Sequence, residues 1–133
     1  MIKAIVLSTL CASLARASTE WPMEWKGQDA QAPAGVSVLR DAGSWVKLWA
    51  RLGKKAPFLD FQRFVAVAVF IGERPTGGFS IEFLEPIETD AGLAVRYRVN
   101  SPTGIATQAF TRPWAVKAYP KPNGEISVEA AAP

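Results

Sequence analysis

The eight residues from Phe64 to Ile71, FVAVAVFI, contain nothing polar, and the chain leaves them directly for Gly72-Glu-Arg-Pro-Thr-Gly-Gly-Phe-Ser80. A short, uniformly apolar, valine-rich run suits a central β-strand covered on both faces, because a strand with one wet face would alternate. The break that follows is longer than the roughly two to five residues a plain hairpin needs. Its glycines serve wherever the backbone must take positive φ. Arg74, Pro75, Thr76 and Phe79 go beyond what a turn requires.

The segments around this strand read as its packing partners. Phe79, Ile81 and Phe83 alternate with Ser80, Glu82 and Leu84, and Leu93, Val95, Tyr97 and Val99 alternate with Ala94, Arg96 and Arg98. Both patterns are those of half-buried strands. The short connection Glu88-Thr-Asp-Ala-Gly92 joins them as a hairpin. Pairing about Asp90 sets Phe83 opposite Tyr97, Ile81 opposite Val99, and Glu82 against Arg98 on the exposed face; a slip of one residue would turn the core residues outward.

Upstream, Val36 to Leu39 forms a short strand. Asp41 or Ser44 then caps a helix whose Trp45, Leu48, Trp49 and Leu52 fall at i, i+3, i+4 and i+7, with Lys47 and Arg51 opposite and Gly53 as terminator. Tryptophans at that spacing are core residues. Residues 18–35 read as an irregular arm with a short strand at Glu24 to Lys26, anchored by Trp21 and Trp25. Later strands fall at Ile105 to Phe110, Trp114 to Tyr119 and Glu125 to Val128, with Pro120-Lys-Pro-Asn-Gly124 between the last two. The fold class is α+β, a small mainly antiparallel sheet with one amphipathic helix packed on it, over residues 36–129 with a tail at 130–133.

Residues 1–17, MIKAIVLSTLCASLARA, have the layout of a secretory signal peptide, with cleavage before Ser18. Its apolar run is too short to span a bilayer, so no membrane span is expected after cleavage. Leu10 disfavours lipidation of Cys11, and the mature chain has no thiol for disulfides or metal sites. Two of the 15 basic residues, Lys3 and Arg16, lie in the leader, which leaves 13 against 12 acidic ones. Mixed charges near balance argue against a nucleic-acid partner.

The sequence has no histidine, which removes Ser-His and metal-His chemistry. Glu82, Glu85 and Glu88 fit a solvated face better than a carboxylate pair, and nothing fixes Ser80 near Lys117. The glycines of RPTGG lack the Lys-Ser or Lys-Thr and the helix of a phosphate loop. No catalytic residue, cofactor or metal is therefore expected. What remains is a set of turn-like segments, Arg74-Pro-Thr-Gly-Gly78, Ser101-Pro-Thr-Gly104 and Thr111-Arg-Pro-Trp114, which can meet at one end of an antiparallel sheet. With Phe79, Arg74, Arg112 and Trp114 they would carry the arginine and aromatic content of a protein interface.

At this point the chain resembles the C-terminal domain family of PrcB, a protease-complex subunit. The matching residues are Trp45-x-x-Leu48-Trp49, the pair Asp60-Phe61, VAVFIGERPTGGFSIEF ending at Phe83, and Thr107-Gln-x-x-Thr111-x-Pro113-Trp114, which together cover about Val38 to Lys121. The resemblance implies an exported, non-enzymatic protein-binding domain that associates with a protease and stabilises or assembles its complex. The partner is then a protease or another exported protein. The family motifs fall on Pro75, Thr76, Gly77 and Gly78 and on Thr111, Pro113 and Trp114, with Phe79 and Trp114 standing where the family often has tyrosine. Together with Arg74, Phe79 and Arg112 these are the expected partner-binding residues. A looser resemblance, to chagasin-type cysteine-protease inhibitors, rests on Pro75-Thr-Gly-Gly-Phe79 and Arg112-Pro-Trp114. It implies an alternative in which those loops occlude a protease.

Overall fold

The structure, a computed structural model, describes residues 23–105 and 108–132. The leader, Trp21 and Thr107 lie outside the described residues. In chain order the elements are β1 (Glu24–Gly27), β2 (Gly35–Leu39), α1 (Ala42–Arg51), β3 (Phe64–Phe70), β4 (Ser80–Phe83), β5 (Ile87–Thr89), β6 (Gly92–Asn100), β7 (Trp114–Pro120) and β8 (Glu125–Ala130).

The strands form two sheets, where the sequence suggested one, and the domain is mostly β with a single short helix among the described residues. β3 is central in the first sheet, which runs β1-β7-β3-β2 with every pairing antiparallel. In the second sheet β6 is central, with β4 and β5 end to end along one edge and β8 parallel along the other. The physical reason lies in β3, whose two apolar faces each need a cover. Ala66, Ala68 and Phe70 join Trp114, Val116 and Ala118 of β7 under the helix, in a core with Trp45, Leu48, Trp49 and Leu52. Val65, Val67 and Val69 join Ala115 and Tyr119 against Ile81, Leu93 and Val95 of the second sheet. The result is three layers: helix, sheet, sheet.

Size sorts the two faces. The apolar run alternates valine toward the second sheet with alanine toward the helix, and the small alanines leave room for indoles. Trp45 and Trp49 stand edge to face at 5.5 Å, Trp25 from β1 closes on both at 5.5 and 5.8 Å, and Phe61 meets Trp45 at 5.6 Å. Such pairs contribute about 0.5–1.5 kcal/mol each beyond their burial. The Trp45 indole N–H donates to the Pro57 carbonyl at 2.7 Å, so burial strands no donor there.

The helix begins and ends where its sequence indicates. Asp41 caps it, its carboxylate accepting the Ser44 N–H at 2.8 Å. At the other end Gly53 sits at φ +69°, and Gly53 and Lys54 donate to the carbonyls of Ala50 and Trp49, both at 3.0 Å. This pair of bonds is a Schellman terminus.

The hairpin register is as read: Phe83 pairs with Tyr97, Ile81 with Val99 and Glu82 with Arg98. Glu82 and Arg98 form an exposed ion pair at 3.4 Å, which contributes at most about 1 kcal/mol. Past Glu85 and Pro86 the pairing resumes one residue displaced, with Ile87 opposite Ala94, so a bulge divides β4 from β5. The strand expected at Ile105 to Phe110 is corrected: its described residues are irregular loop, with Ile105 and Phe110 exposed. The Pro120 to Gly124 turn carries the chain from one sheet to the other, because the apolar side of β8 (Ile126 and Val128) is needed to extend the outer layer.

Ala68 is fully buried beneath the helix. Ala68→Val should therefore lower unfolding free energy by about 1–3 kcal/mol in urea denaturation, despite valine's preference for strands. An unchanged midpoint would mean the helix does not press on that face.

Candidate partner-binding surface

The β3–β7 ladder ends with Phe70 opposite Trp114. Beyond it the Ile71 N–H donates to the Pro113 carbonyl at 3.3 Å, and Arg74 and Thr111 exchange backbone bonds at 2.7 and 2.9 Å in an isolated antiparallel bridge. The two loops meet because they prolong a strand pair. The Thr111 hydroxyl donates to the Thr76 carbonyl at 3.1 Å and fixes the tip of the first loop.

Two glycines permit this path. Gly72 turns the chain at φ +78° and Gly78 at φ +90°, both left-handed conformations that other residues resist. A Cβ on Gly78 would stand 2.6 Å from the Pro102 side chain, so the close approach of the Ser101 to Gly104 loop also depends on it. All three segments singled out in the sequence are thus brought together. The arm then clamps them: Arg112 donates to the Gln28 carbonyl and accepts from the Ala30 N–H, both at 2.9 Å, while the Gln28 amide donates to the Phe79 carbonyl at 3.3 Å.

The expected contact residues divide by burial. Pro75, Gly78 and Arg112 are exposed, Arg74, Thr76, Phe79 and Thr111 are half-buried, and Gly77, Pro113 and Trp114 are buried. The Arg74 guanidinium lies 5.4 Å from the centre of the Phe79 ring, a cation–π arrangement that holds both side chains at the rim. Arg112 reaches Glu73 at 4.0 Å, a loose exposed pair.

Pro113 and Trp114 correct the sequence expectation, since neither presents its side chain to a partner. Trp114 is 3% exposed and stands edge to face with Trp49 at 5.5 Å. Its indole lies across Gly27 of β1, where any Cβ would collide with it. Its N–H donates to the Asp29 carboxylate at 3.1 Å, and Lys54 approaches the other carboxylate oxygen at 3.4 Å. The indole hydrogen bond is the main cause that holds the Asp29 carboxyl below its usual range, with Lys54 assisting and burial opposing. The surface instead gains Phe110, 74% exposed, and the fully exposed Ile105, two apolar residues that the sequence had hidden in an expected strand.

The carboxylates and the Ser80–Lys117 pair weighed in the sequence are not gathered at this surface among the described residues. Glu82 is committed to Arg98 and to the Asn100 amide, which donates at 3.2 Å. Ser80 lies on the outer face of the second sheet, whereas Lys117 shares the inward face of the first with Tyr119, so the sandwich separates them. Among the described residues no three His, Cys, Asp or Glu side chains gather to hold a metal ion, and no helix is long and apolar enough to cross a membrane.

Fold and surface together define a layered, mostly β domain that offers a clamped platform of three loops. Residues 65–118, from the first buried strand through the loops to the end of β7's core segment, match the family described as PrcB C-terminal, which supports the resemblance read from the sequence. No curated protein and no solved structure matches the chain.

Trp114→Ala should cost about 3–5 kcal/mol in urea denaturation, as the loss of a buried indole does. A folded variant of unchanged stability would return Trp114 to the exposed surface.

Proposed function

We propose that this is an exported, non-enzymatic protein-binding domain that associates with a protease and stabilises or assembles its complex. The observation that carries the reading is the match to the PrcB C-terminal family across 65–118, which includes the whole of the loop from Gly72 to Phe79. The platform suits the role. Arg74, Pro75, Phe79 and Arg112, with Phe110 and Ile105 beside them, combine cations and apolar groups on a backbone already fixed by hydrogen bonds, so little ordering cost falls due on binding. Thr76, Gly77, Gly78, Thr111, Pro113 and Trp114 hold the platform in shape. The inhibitor alternative needs a tryptophan presented beside the glycine loop, and the burial of Trp114 weighs against it.

A tagged full chain incubated with the exported fraction of its host should retain a protease, identified by mass spectrometry, whose activity then lasts longer. Arg74→Ala and Phe110→Ala should each weaken retention by about tenfold or more while leaving thermal stability unchanged, as interface anchors do. Activity that falls at fixed stoichiometry would favour the inhibitor. Retention of no protease would contradict both.

A further inference from the structure

Among the described residues four strand edges face outward from the two sheets, and three of them are guarded. β1 carries Lys26 and Glu24, paired at 3.1 Å; the β4–β5 edge is broken by the bulge at Glu85 and Pro86; β8 carries Glu125 and Glu129. Charges, prolines and bulges are the usual devices that keep an edge from accepting another strand. β2, GVSVL, has none of them, and Val36 within it is 41% exposed. Among the described residues nothing pairs with its outer edge.

A groove of about 310 Å³ runs beside that edge on the helix side, between Ser37, Val38 and Leu39 of β2 and Ser44, Lys47, Leu48 and Arg51 of α1. Ser37 and Leu39 pair with Ala68 and Ala66, so their side chains share the helix-facing side of the sheet. Buried Leu39 and Leu48 make its floor. Lys47 and Arg51 are exposed on its rim, and neither forms an ion pair among the described residues, nor does Arg40 at the end of β2. Asp41, which separates them from the strand, is committed to capping Ser44. The Arg51 guanidinium lies 5.9 Å from the Phe70 ring, and Phe70 pairs with Gly35 at the start of β2, so the two rim cations are spread along the strand.

We propose that this groove takes an extended acidic segment of a partner protein, which adds to β2 as a further antiparallel or parallel strand and directs alternate carboxylates to Lys47 and Arg51. The spacing fits. Residues four apart on a helix rise about 6 Å, and alternate residues of a strand about 6.7 Å, so two carboxylates on one face of the added strand meet both cations. Backbone bonds to β2 supply attachment and the rim supplies the preference for acid. A second copy of this chain is a poor occupant, because symmetric β2–β2 pairing would bring both sets of rim cations to one seam. The lining of the groove shares no residue with the loop platform.

The test uses the full chain and a fluorescein-labelled octapeptide that alternates glutamate with valine and threonine, read by fluorescence anisotropy and by amide shifts in NMR. Saturable binding should perturb the β2 amides and disappear when the amides on one edge of the peptide are N-methylated. Lys47→Glu, at an exposed position, should weaken it by about tenfold with the melting temperature unchanged. The double variant Lys47→Glu, Arg51→Glu should instead bind the matching lysine peptide. Absence of binding, binding that survives N-methylation, binding indifferent to Lys47→Glu, or self-association through β2 in sedimentation would each overturn the proposal.

Discussion

Every layer of this domain answers to β3, a strand with no polar face. Burying six of its seven residues, with Phe64 half-buried, requires a cover on each side, and the chain supplies a helix for one and a second sheet for the other. The covers are not interchangeable. Alanines at 66 and 68 accept the helix and its tryptophans, while valines at 65, 67 and 69 present the branched surface that a facing sheet packs against. Reversing that order would crowd the indoles and leave a gap between the sheets.

The loop platform follows from the same strand. β3 and β7 are paired along their whole length, so the chain leaving β3 and the chain entering β7 emerge side by side, and the bridge between Arg74 and Thr111 continues the ladder outside the sheet. Trp114 belongs to this logic as an anchor. Held by Trp49, Gly27 and Asp29, it ties the entrance of β7 to the helix layer and the arm, and that rigidity is what keeps Arg74, Phe79 and Arg112 in fixed relation on the surface.

Much of this could be read from the residues. Local signals sufficed for the helix, because Asp41, the Trp45-Leu48-Trp49-Leu52 spacing and Gly53 act within a few residues of one another. The hairpin register was legible because one face of each strand is wet, which leaves a single alignment of Phe83 and Ile81 with Tyr97 and Val99. The meeting of the loops followed from antiparallel pairing. The second sheet was hidden because hydrophobicity alone makes FVAVAVFI look uniform, and the valine–alanine alternation that sorts its faces is one of size. β8 could not be placed, since the alternation of Ile126 and Val128 suits either sheet. Trp114 was misjudged because it is the first residue of β7 and was read with the turn before it; Lys117, three positions on, lies on the other face, and Trp114 is buried with Val116 and Ala118. Ile105 and Phe110 sit in a stretch of no period, and an apolar residue there reads equally as strand or as exposed loop.

Native-state hydrogen exchange tests the dependence on β3 most directly. If both covers must leave before this strand can open, the amides of Val65 to Val69 and their β7 partners will exchange only through global unfolding, with opening free energies equal to the stability measured by denaturant. Exchange of those amides at a markedly lower free energy, while the helix or the second sheet stays protected, would show that β3 is not what the layers are built upon.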